Sequence, residues 1–361
     1  MRRSGAARPW ARSSGALSSI GCSPRASRMA IPTGVPPTSG SRWRSWTGVL
    51  AAGRRVVLVG STASGKSLVA LDLAERLGGE IVGADSRQIY RGLEIGTEAP
   101  TVQDCARVPH HFVSFLEPAH GYSAGRYGKE ARASVLEIES RGRLPIVAGG
   151  SGLYVRALLQ GLFHGPARDD AIRARLTERI REEGLESLRQ ELGRVDPEAL
   201  EAILPGDPVR VIRALEVHEL TGRPISALRR ERAPEPFPAL LFGLRWSRPA
   251  LAERIASRLD RQLARGFLDE VRTLLEAGLP EDAPGPRTLG YRELIPHLHG
   301  EYSLEEARRR IALKTRQLAK RQETWFRLTP GVHWIDLQEE GDFARAAREI
   351  EDRLDRARER P

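Results

Sequence analysis

Residues 60–67 run Gly60-Ser61-Thr62-Ala63-Ser64-Gly65-Lys66-Ser67, a match to G-x-x-x-x-G-K-[ST]. The stretch follows a short apolar run, Val56-Val57-Leu58-Val59, and opens a segment with helical spacing over residues 68–77. Strand, glycine loop and helix, in that order, are the context in which the pattern is a phosphate-binding P-loop. Glycines let the backbone close around phosphate oxygens, and the free N–H groups at a helix N-terminus favour negative charge. Lys66 adds a point charge, and the Ser67 hydroxyl can ligate Mg2+. The eight residues are therefore expected to bind a di- or triphosphate. Nucleotide, ATP above all, is the common occupant of such loops, and the loop by itself fits either.

Outward from the loop, residues 80–82, 112–115 and 145–148 read as further short strands, with a helix over residues 126–141 between the last two. Strands alternating with helices point to a parallel sheet of doubly wound type, an α/β fold of P-loop NTPase-like kind. Ala84-Asp85-Ser86-Arg87-Gln88-Ile89-Tyr90 stands directly after the second strand. Ligands of open α/β sheets sit at the carboxyl ends of strands, so Asp85 points toward the phosphate region. It can hold a cation through water, act as a general base, or merely cap the next turn. Ala148-Gly149-Gly150-Ser151-Gly152-Leu153-Tyr154, after another strand, is either a second anion-binding turn or a plain strand-to-helix turn.

From about residue 169 the pattern turns helical, with apolar residues such as Ile172, Leu176 and Ile180 on one side, and Asp207-Pro208 starting another helix. Pro234, Pro236 and Pro238 break this run, and residues 239–244 read as a strand returning to the sheet. One long helix is expected over 251–277 and another over 304–328, before a closing strand at 332–337. The chain divides as a basic extension (1–53), a P-loop core (54–168), a helical insertion (169–235), a return to the core with basic helices (236–340) and a C-terminal helix (341–361). The extension is rich in Ser, Gly, Pro and Arg. It buries too little apolar surface to order itself, and is either a disordered tail, a start placed too far upstream, or a transit-like segment.

Charge needs the same care. The chain carries +10 over 361 residues, but residues 1–50 hold eight arginines and no acid. Subtracting those leaves +2, so a polyanion site must come from local clustering. Residues 308–327 supply it, with eight basic side chains and one acid, Glu323. Such a helix repels itself unless it is solvated or faces a polyanion. Trp325 and Phe326 at its end are core residues or, alternatively, stack on RNA bases. Arg254 and Arg258 share one helix face and, from position alone, are solvated arginines. His110 and His111 stand side by side on a strand and point oppositely, which argues against a metal pair. Cys22 and Cys105 lack the spacing of a zinc site. No run is apolar enough to span a membrane.

Taken in order, GSTASGKS (60–67), ADSRQIY (84–90), RGLEIGT (91–97), VPHH (108–111), AGGSGLY (148–154), DPVRVIRALEV (207–217), RTLGYRE (287–293) and TRQLAKRQETWFR (315–327) resemble the bacterial tRNA dimethylallyltransferases over about four-fifths of the chain. The resemblance implies transfer of a dimethylallyl group from dimethylallyl diphosphate to the exocyclic N6 amine of the adenosine 3′ to the anticodon of tRNA. It makes Asp85, Ser151 and Arg258 catalytic, with Asp85 taking the amine proton. Lys66, Ser67, Ser151 and Arg258 become diphosphate contacts, with Mg2+ near Ser67. The tRNA contacts it implies are Asp85, Ser86, Arg87, Gln88, Ser151 and Arg173; Val209, Arg210, Val211, Ile212 and Arg213; Arg287, Thr288, Leu289, Gly290, Tyr291 and Arg292; and Lys320, Arg321, Gln322, Glu323, Thr324, Trp325, Phe326 and Arg327. It also implies a monomer in the bacterial cytoplasm, engaging the anticodon stem-loop, with import into an organelle through residues 1–53 as the lesser alternative.

Three departures stand out. Ser61 replaces the family's proline and Ser151 its threonine, while Glu98-Ala99 stands where the family has Ala-Lys. The competing readings are a small-molecule kinase using the loop for ATP, a transferase acting on free adenine nucleotides, and an RNA-binding NTPase. The ordered motifs and the basic helix favour the tRNA enzyme.

Overall fold

In the computed structural model, residues 55–163, 165–231 and 237–359 are described. The expectation for residues 1–53, and the breaks at Pro234 and Pro236, lie outside them.

Six strands form one parallel sheet in the order β3-β2-β4-β1-β5-β6. They are β1 (Val56–Gly60), β2 (Gly79–Gly83), β3 (His110–His111), β4 (Leu144–Gly149), β5 (Leu240–Trp246) and β6 (Val332–Leu337). Central β1 is buried along its whole length, as a strand covered on both faces must be. It registers Val57 against Val147 of β4 and Leu241 of β5. On one face lie α1 (Lys66–Leu77) and the last helix, α15 (Asp342–Glu359), which contribute Val69, Leu73, Ala346 and Ile350 to a common core. On the other lie α4 (Ala124–Ser140), α5 (Gly152–Gln160) and Phe326 from α14 (Leu304–Arg327). Between β2 and β3 run the short helices α2 (Glu94–Thr97) and α3 (Val102–Arg107). The fold is the P-loop NTPase-like α/β sheet that the motifs imply.

Two expected elements differ. The strand expected at 112–115 is reduced to His110 and His111, because Phe112 and Ser114 take left-handed backbone at φ 61° and 44°. The chain turns there so that Ser114 N and Phe115 N donate to Gln88 O and Ile89 O, while Phe112 sets its ring against Phe115 and Tyr127. The long helix expected at 251–277 is two, α11 (Arg248–Ala264) and α12 (Phe267–Glu276). Gly266 sits between them at φ 93°, a conformation that ends helices and suits glycine. The turn sends Phe267 into a third core with Leu259, Tyr291, Leu294 and Ile311, which joins α11 and α12 to α13 (Tyr291–Leu298) and α14.

Between β4 and β5 stand α6 (Asp170–Glu183), α7 (Leu185–Val195), α8 (Pro197–Ala202), α9 (Pro208–Thr221) and α10 (Ile225–Arg230). Asp169, Asp196 and Asp207 cap α6, α8 and α9 with their side chains. These helices enclose a core of their own around Leu176, Leu188, Leu192, Val211 and Leu215. Among the described residues, no helix is long and apolar enough to cross a membrane.

Candidate active site

The carboxyl ends of β1, β2 and β4 open into one cavity of about 640 Å³, lined by Thr62, Asp85, Ser86, Arg87, Ser151, Arg258, Arg287, Arg321, Gln322 and Trp325 among others. Three turns meet there. The P-loop passes into α1 through Gly65 at φ 85°. The β2 turn and the β4 turn touch so closely that a Cβ at Gly149 would lie 2.1 Å from Ala84 O. Ser151 then joins them: its N–H donates to Ala84 O at 3.1 Å, and its hydroxyl accepts from Ser86 N at 2.9 Å.

Asp85 is half-buried in this wall. Its Oδ1 accepts from Arg87 N at 2.8 Å, which is the turn-capping alternative raised by the sequence. Oδ2 takes no hydrogen bond among the described residues, so one carboxylate oxygen stays available to the cavity. One oxygen of the side chain caps the turn, and the other is left free of it.

Lys66 Nζ donates to Ser61 O at 3.1 Å, folded back onto its own loop. Burial pushes its ammonium down to about 8, Asp85 opposes the shift and Arg258 adds to it. A buried ammonium of this kind is favoured by an anionic ligand brought against it.

The arginines read from the sequence as surface residues are not on the surface. Arg254, Arg258 and Gln262 recur every fourth position along α11 and grip the loops in turn. Arg254 Nε donates to Ala63 O at 2.9 Å, with its guanidinium 4.4 Å from the Trp246 ring centre. Arg258 donates to Thr62 Oγ1 at 3.0 Å and Thr97 O at 3.1 Å, and its Nε pairs with Glu98 at 3.4 Å. Burial lowers the Arg258 pKa, opposed by Glu98 and Asp85. Gln262 Nε2 donates to Ile95 O at 2.9 Å and Gly96 O at 3.0 Å. Glu270 closes the same turn from the other side by accepting from Ile95 N, Gly96 N and Tyr291 OH; burial raises its pKa. Sequence reading missed Gln262 and Glu270, although Gln262 continues the four-residue spacing of the two arginines.

Gln322 of α14 does more than its place in a tRNA-facing stretch implied. Its Oε1 accepts from Thr62 N at 2.8 Å and its Nε2 donates to Gly150 O at 2.9 Å. One side chain thus ties the P-loop to the β4 turn. Trp325 packs on Gly152 and lines the cavity.

Other expected residues are placed as follows. Arg287, Thr288, Leu289, Gly290 and Arg292 line the cavity with Arg321. Gln88 turns away, donating to Thr97 O and Glu98 O. Ser67 is exposed on α1 and borders a separate crevice of about 20 Å³ with Gln88 and His110. Lys320, Thr324 and Arg327 are exposed, and Glu323 is half-buried. Val211, Tyr291 and Phe326 are fully buried. The direct RNA contacts implied for these three are corrected: their bulk goes into the cores that hold the helices. Arg173 and Arg213 both pair with Glu216, at 3.1 and 2.8 Å, whose side chain is fully buried. Val209 and Arg210 are exposed beside them, and Ile212 is half-buried.

The basic helix divides at Ile311. Arg308 pairs with Asp260, and Arg309 and Arg310 pair with Glu306. Lys314, Arg316, Lys320, Arg321 and Arg327 follow, exposed and without an ion pair among the described residues. No cluster of three or more metal-ligating side chains occurs among the described residues. His110 Nδ1 bonds Val108 O, and His111 bonds Glu80. The P-loop itself offers the Ser67 hydroxyl and the buried Ser64 Oγ, which has no partner.

Comparison with known proteins agrees. The IPP transferase family model matches residues 88–329. The chain is 47% identical over 285 residues to the tRNA dimethylallyltransferase of Geobacter metallireducens, covering 78% of this chain and 92% of that protein. It is 46% identical over 297 residues to that of Thermomicrobium roseum, covering 82% and 90%. Among solved structures, the full-length tRNA isopentenylpyrophosphate transferase of Bacillus halodurans superposes with a TM-score of 0.62 at 34% identity, over 84% of this chain and 98% of that one. A eukaryotic dimethylallyltransferase captured acting on tRNA gives 0.72 at 26% identity, over 85% and 80%.

Proposed function

The chain belongs to the IPP transferase family, and from that premise we propose that this tRNA dimethylallyltransferase carries out its reaction in the cavity where the P-loop, Asp85 and Arg258 meet. The reaction joins N6 of the adenosine 3′ to the anticodon to C1 of the dimethylallyl group. The bond from C1 to the diphosphate oxygen breaks, and its electron pair leaves with diphosphate. The amine gives up one proton.

The residues divide this work. Lys66, Arg258, the Ser151 hydroxyl and the loop N–H groups hold the diphosphate and stabilise the charge it gains on leaving. Arg258 is prepositioned by Thr62 and Thr97, so little reorganisation is needed when that charge develops. Asp85 takes the amine proton through Oδ2. Ile255, Leu259, Ile311, Leu318 and Trp325 face the cavity and keep water from the electron-poor allylic carbon. The adenosine reaches them by leaving its stack, as bases must before such chemistry.

Mg2+ would reach the P-loop as a substrate-borne ion, at the Ser67 side of the loop rather than in the cavity floor. The Ser67 hydroxyl would be its protein ligand, with the orphaned Ser64 Oγ in the same loop, and phosphate oxygens and water would supply the remainder. When bound, the ion neutralises diphosphate charge. The Glu98-Ala99 departure leaves the chemistry in place, because Glu98 pairs with Arg258 and Arg265 without displacing either Thr62 or Thr97. Bacterial relatives and a tRNA partner favour the bacterial cytoplasm.

The observation that carries this reading is the free carboxylate oxygen of Asp85 in the same cavity as Arg258 and the P-loop. The test is incubation of purified protein with Mg2+, unmodified tRNA and radiolabelled dimethylallyl diphosphate. Label on N6 of one adenosine after nuclease digestion is expected. Label in free AMP but not in tRNA, or ATP hydrolysis with no transfer, would overturn it.

A further inference from the structure

The P-loop is held from behind as well as from the cavity. Its backbone is left-handed at Gly65, φ 85°, and also at Ala63, φ 62°. A residue with a Cβ stays in that region only where its surroundings impose it. Alanine has no polar side chain to stabilise the turn locally, as Asn or Asp would, so neighbours must supply the restraint.

Three side chains from three elements supply it. Trp246, the last residue of β5, donates from Nε1 to Ser64 O at 3.0 Å in a buried bond. Arg254, on α11, donates from Nε to Ala63 O at 2.9 Å. Phe343, in the first turn of α15, lies against Gly65, where a Cβ would meet its ring at 2.2 Å. The three also hold one another. The Arg254 guanidinium lies 4.4 Å from the Trp246 ring centre and 5.3 Å from that of Phe343, and the two rings meet edge to face at 6.1 Å. Both contacts are of the kind that fixes a planar cation in place.

The chain's last helix brings Phe343 there. Asp342 accepts from Gln338 N at 2.6 Å and Glu339 N at 3.2 Å, closing the turn between β6 and α15. Ala346 and Ile350 follow Phe343 at helical spacing and share a core with Val69 and Leu73 of α1. Glu340 adds an ion pair to Arg254 at 2.6 Å, but it is largely exposed and contributes little.

The consequence falls on the other side of the loop. In a trans peptide the N–H points opposite to the carbonyl of the same unit. Pinning Ala63 O and Ser64 O from behind therefore fixes where the Ser64 and Gly65 N–H groups point. Trp246, Arg254 and Phe343 are not among the residues that line the cavity.

We propose that Trp246, Arg254 and Phe343 are positioning residues that set the P-loop in its diphosphate-binding shape from outside the cavity, with Arg254 at their centre. The proposal rests on the reading of the P-loop as the diphosphate site.

The test compares Arg254→Lys, Trp246→Phe and Phe343→Ala with Ile350→Val, each in the full chain. Affinity for inorganic pyrophosphate with Mg2+, tRNA affinity, steady-state transfer and the thermal midpoint are measured together. Lysine keeps the charge of Arg254 but loses the planar group that meets both rings. Phenylalanine keeps the bulk of Trp246 and loses the bond to Ser64 O. Arg254→Lys and Phe343→Ala weaken pyrophosphate binding about tenfold and raise the KM for dimethylallyl diphosphate by a similar factor, and Trp246→Phe does so severalfold. The tRNA Kd stays at its wild-type value. Ile350→Val, in the same core but away from the loop, lowers the thermal midpoint and leaves pyrophosphate affinity and KM unchanged. Should Phe343→Ala fail to fold, Arg254→Lys and Trp246→Phe carry the test. Wild-type pyrophosphate affinity in those two variants overturns the proposal. So does a loss that merely follows the thermal midpoint, with Ile350→Val weakened to match. Wild-type protein that binds no pyrophosphate would instead bring down the diphosphate reading itself, so the two failures are told apart.

Discussion

Arg258 inside the cavity and Arg321 on its rim share a residue type and a cavity wall, and differ in everything else. The first has its guanidinium committed to Thr62, Thr97 and Glu98. The second has no ion pair among the described residues, like Lys314, Arg316, Lys320 and Arg327 on the same helix. A floor in which each donor is already placed loses little on reorganising and can stabilise charge as it develops. A rim of unpaired, flexible cations positions nothing finely, but attracts a polyanion over distance and releases counterions when it binds. Under the proposed function the floor would serve rate and the rim capture, so the two should be separately breakable.

The largest effect is expected at the floor. Lys66→Ala removes the loop's point charge and should lower kcat about 10²–10³-fold with tRNA affinity unchanged, as read by single-turnover transfer beside a binding assay. Equal losses in rate and tRNA affinity would dissolve the distinction. Gln322→Leu is next. It breaks the tie between Thr62 N and Gly150 O, leaving two polar groups unsatisfied and the turns free to separate. A fall of about tenfold in kcat/KM for the diphosphate is expected, even though the residue sits on the basic helix. A defect confined to tRNA binding would return Gln322 to the rim.

The floor also has a pH signature. Burial holds Lys66 down to about 8, so it is cationic below that pH and neutral above it. Affinity for inorganic pyrophosphate should be full at pH 7 and fall as pH rises through 8. Lys66→Arg should remove that dependence, because guanidinium stays charged. A flat profile in the unaltered protein would contradict the burial argument.

Smaller effects belong to the rim and to the family departure. Each of Lys320→Ala and Arg327→Ala should weaken tRNA binding severalfold and make the salt slope shallower by about 1, at unchanged kcat. Glu98→Ala should raise the KM for the diphosphate only about threefold, since a half-exposed pair contributes little and Thr62 and Thr97 still hold Arg258. A tenfold or larger change would make Glu98 a principal part of the site.

Much of the floor was legible in the sequence because its parts are short and local. A glycine loop between an apolar run and a helix, and two further turns after strands, announce one end of a parallel sheet. Less legible was whatever depends on distant chain segments meeting. The strand at 112–115 had the composition for pairing, but Phe112 and Ser114 turn the backbone so that the next residues can bond to Gln88 and Ile89. Gly266 marked the break in the long helix, and the apolar periodicity on both sides of it masked the signal. Arg254 and Arg258 read as solvated because nothing in their own helix reveals that the P-loop packs over them.

The most direct test of the division between rate and capture is a single-turnover transfer measurement on Asp85→Asn, with tRNA saturating and its affinity determined in parallel. The substitution keeps the oxygen that caps the turn to Arg87 and removes the charge that accepts the proton. The expected result is transfer slowed a hundredfold or more, with tRNA Kd and its salt slope at wild-type values. Transfer at the wild-type rate would contradict the account, because the free oxygen of Asp85 would then have no part in the reaction.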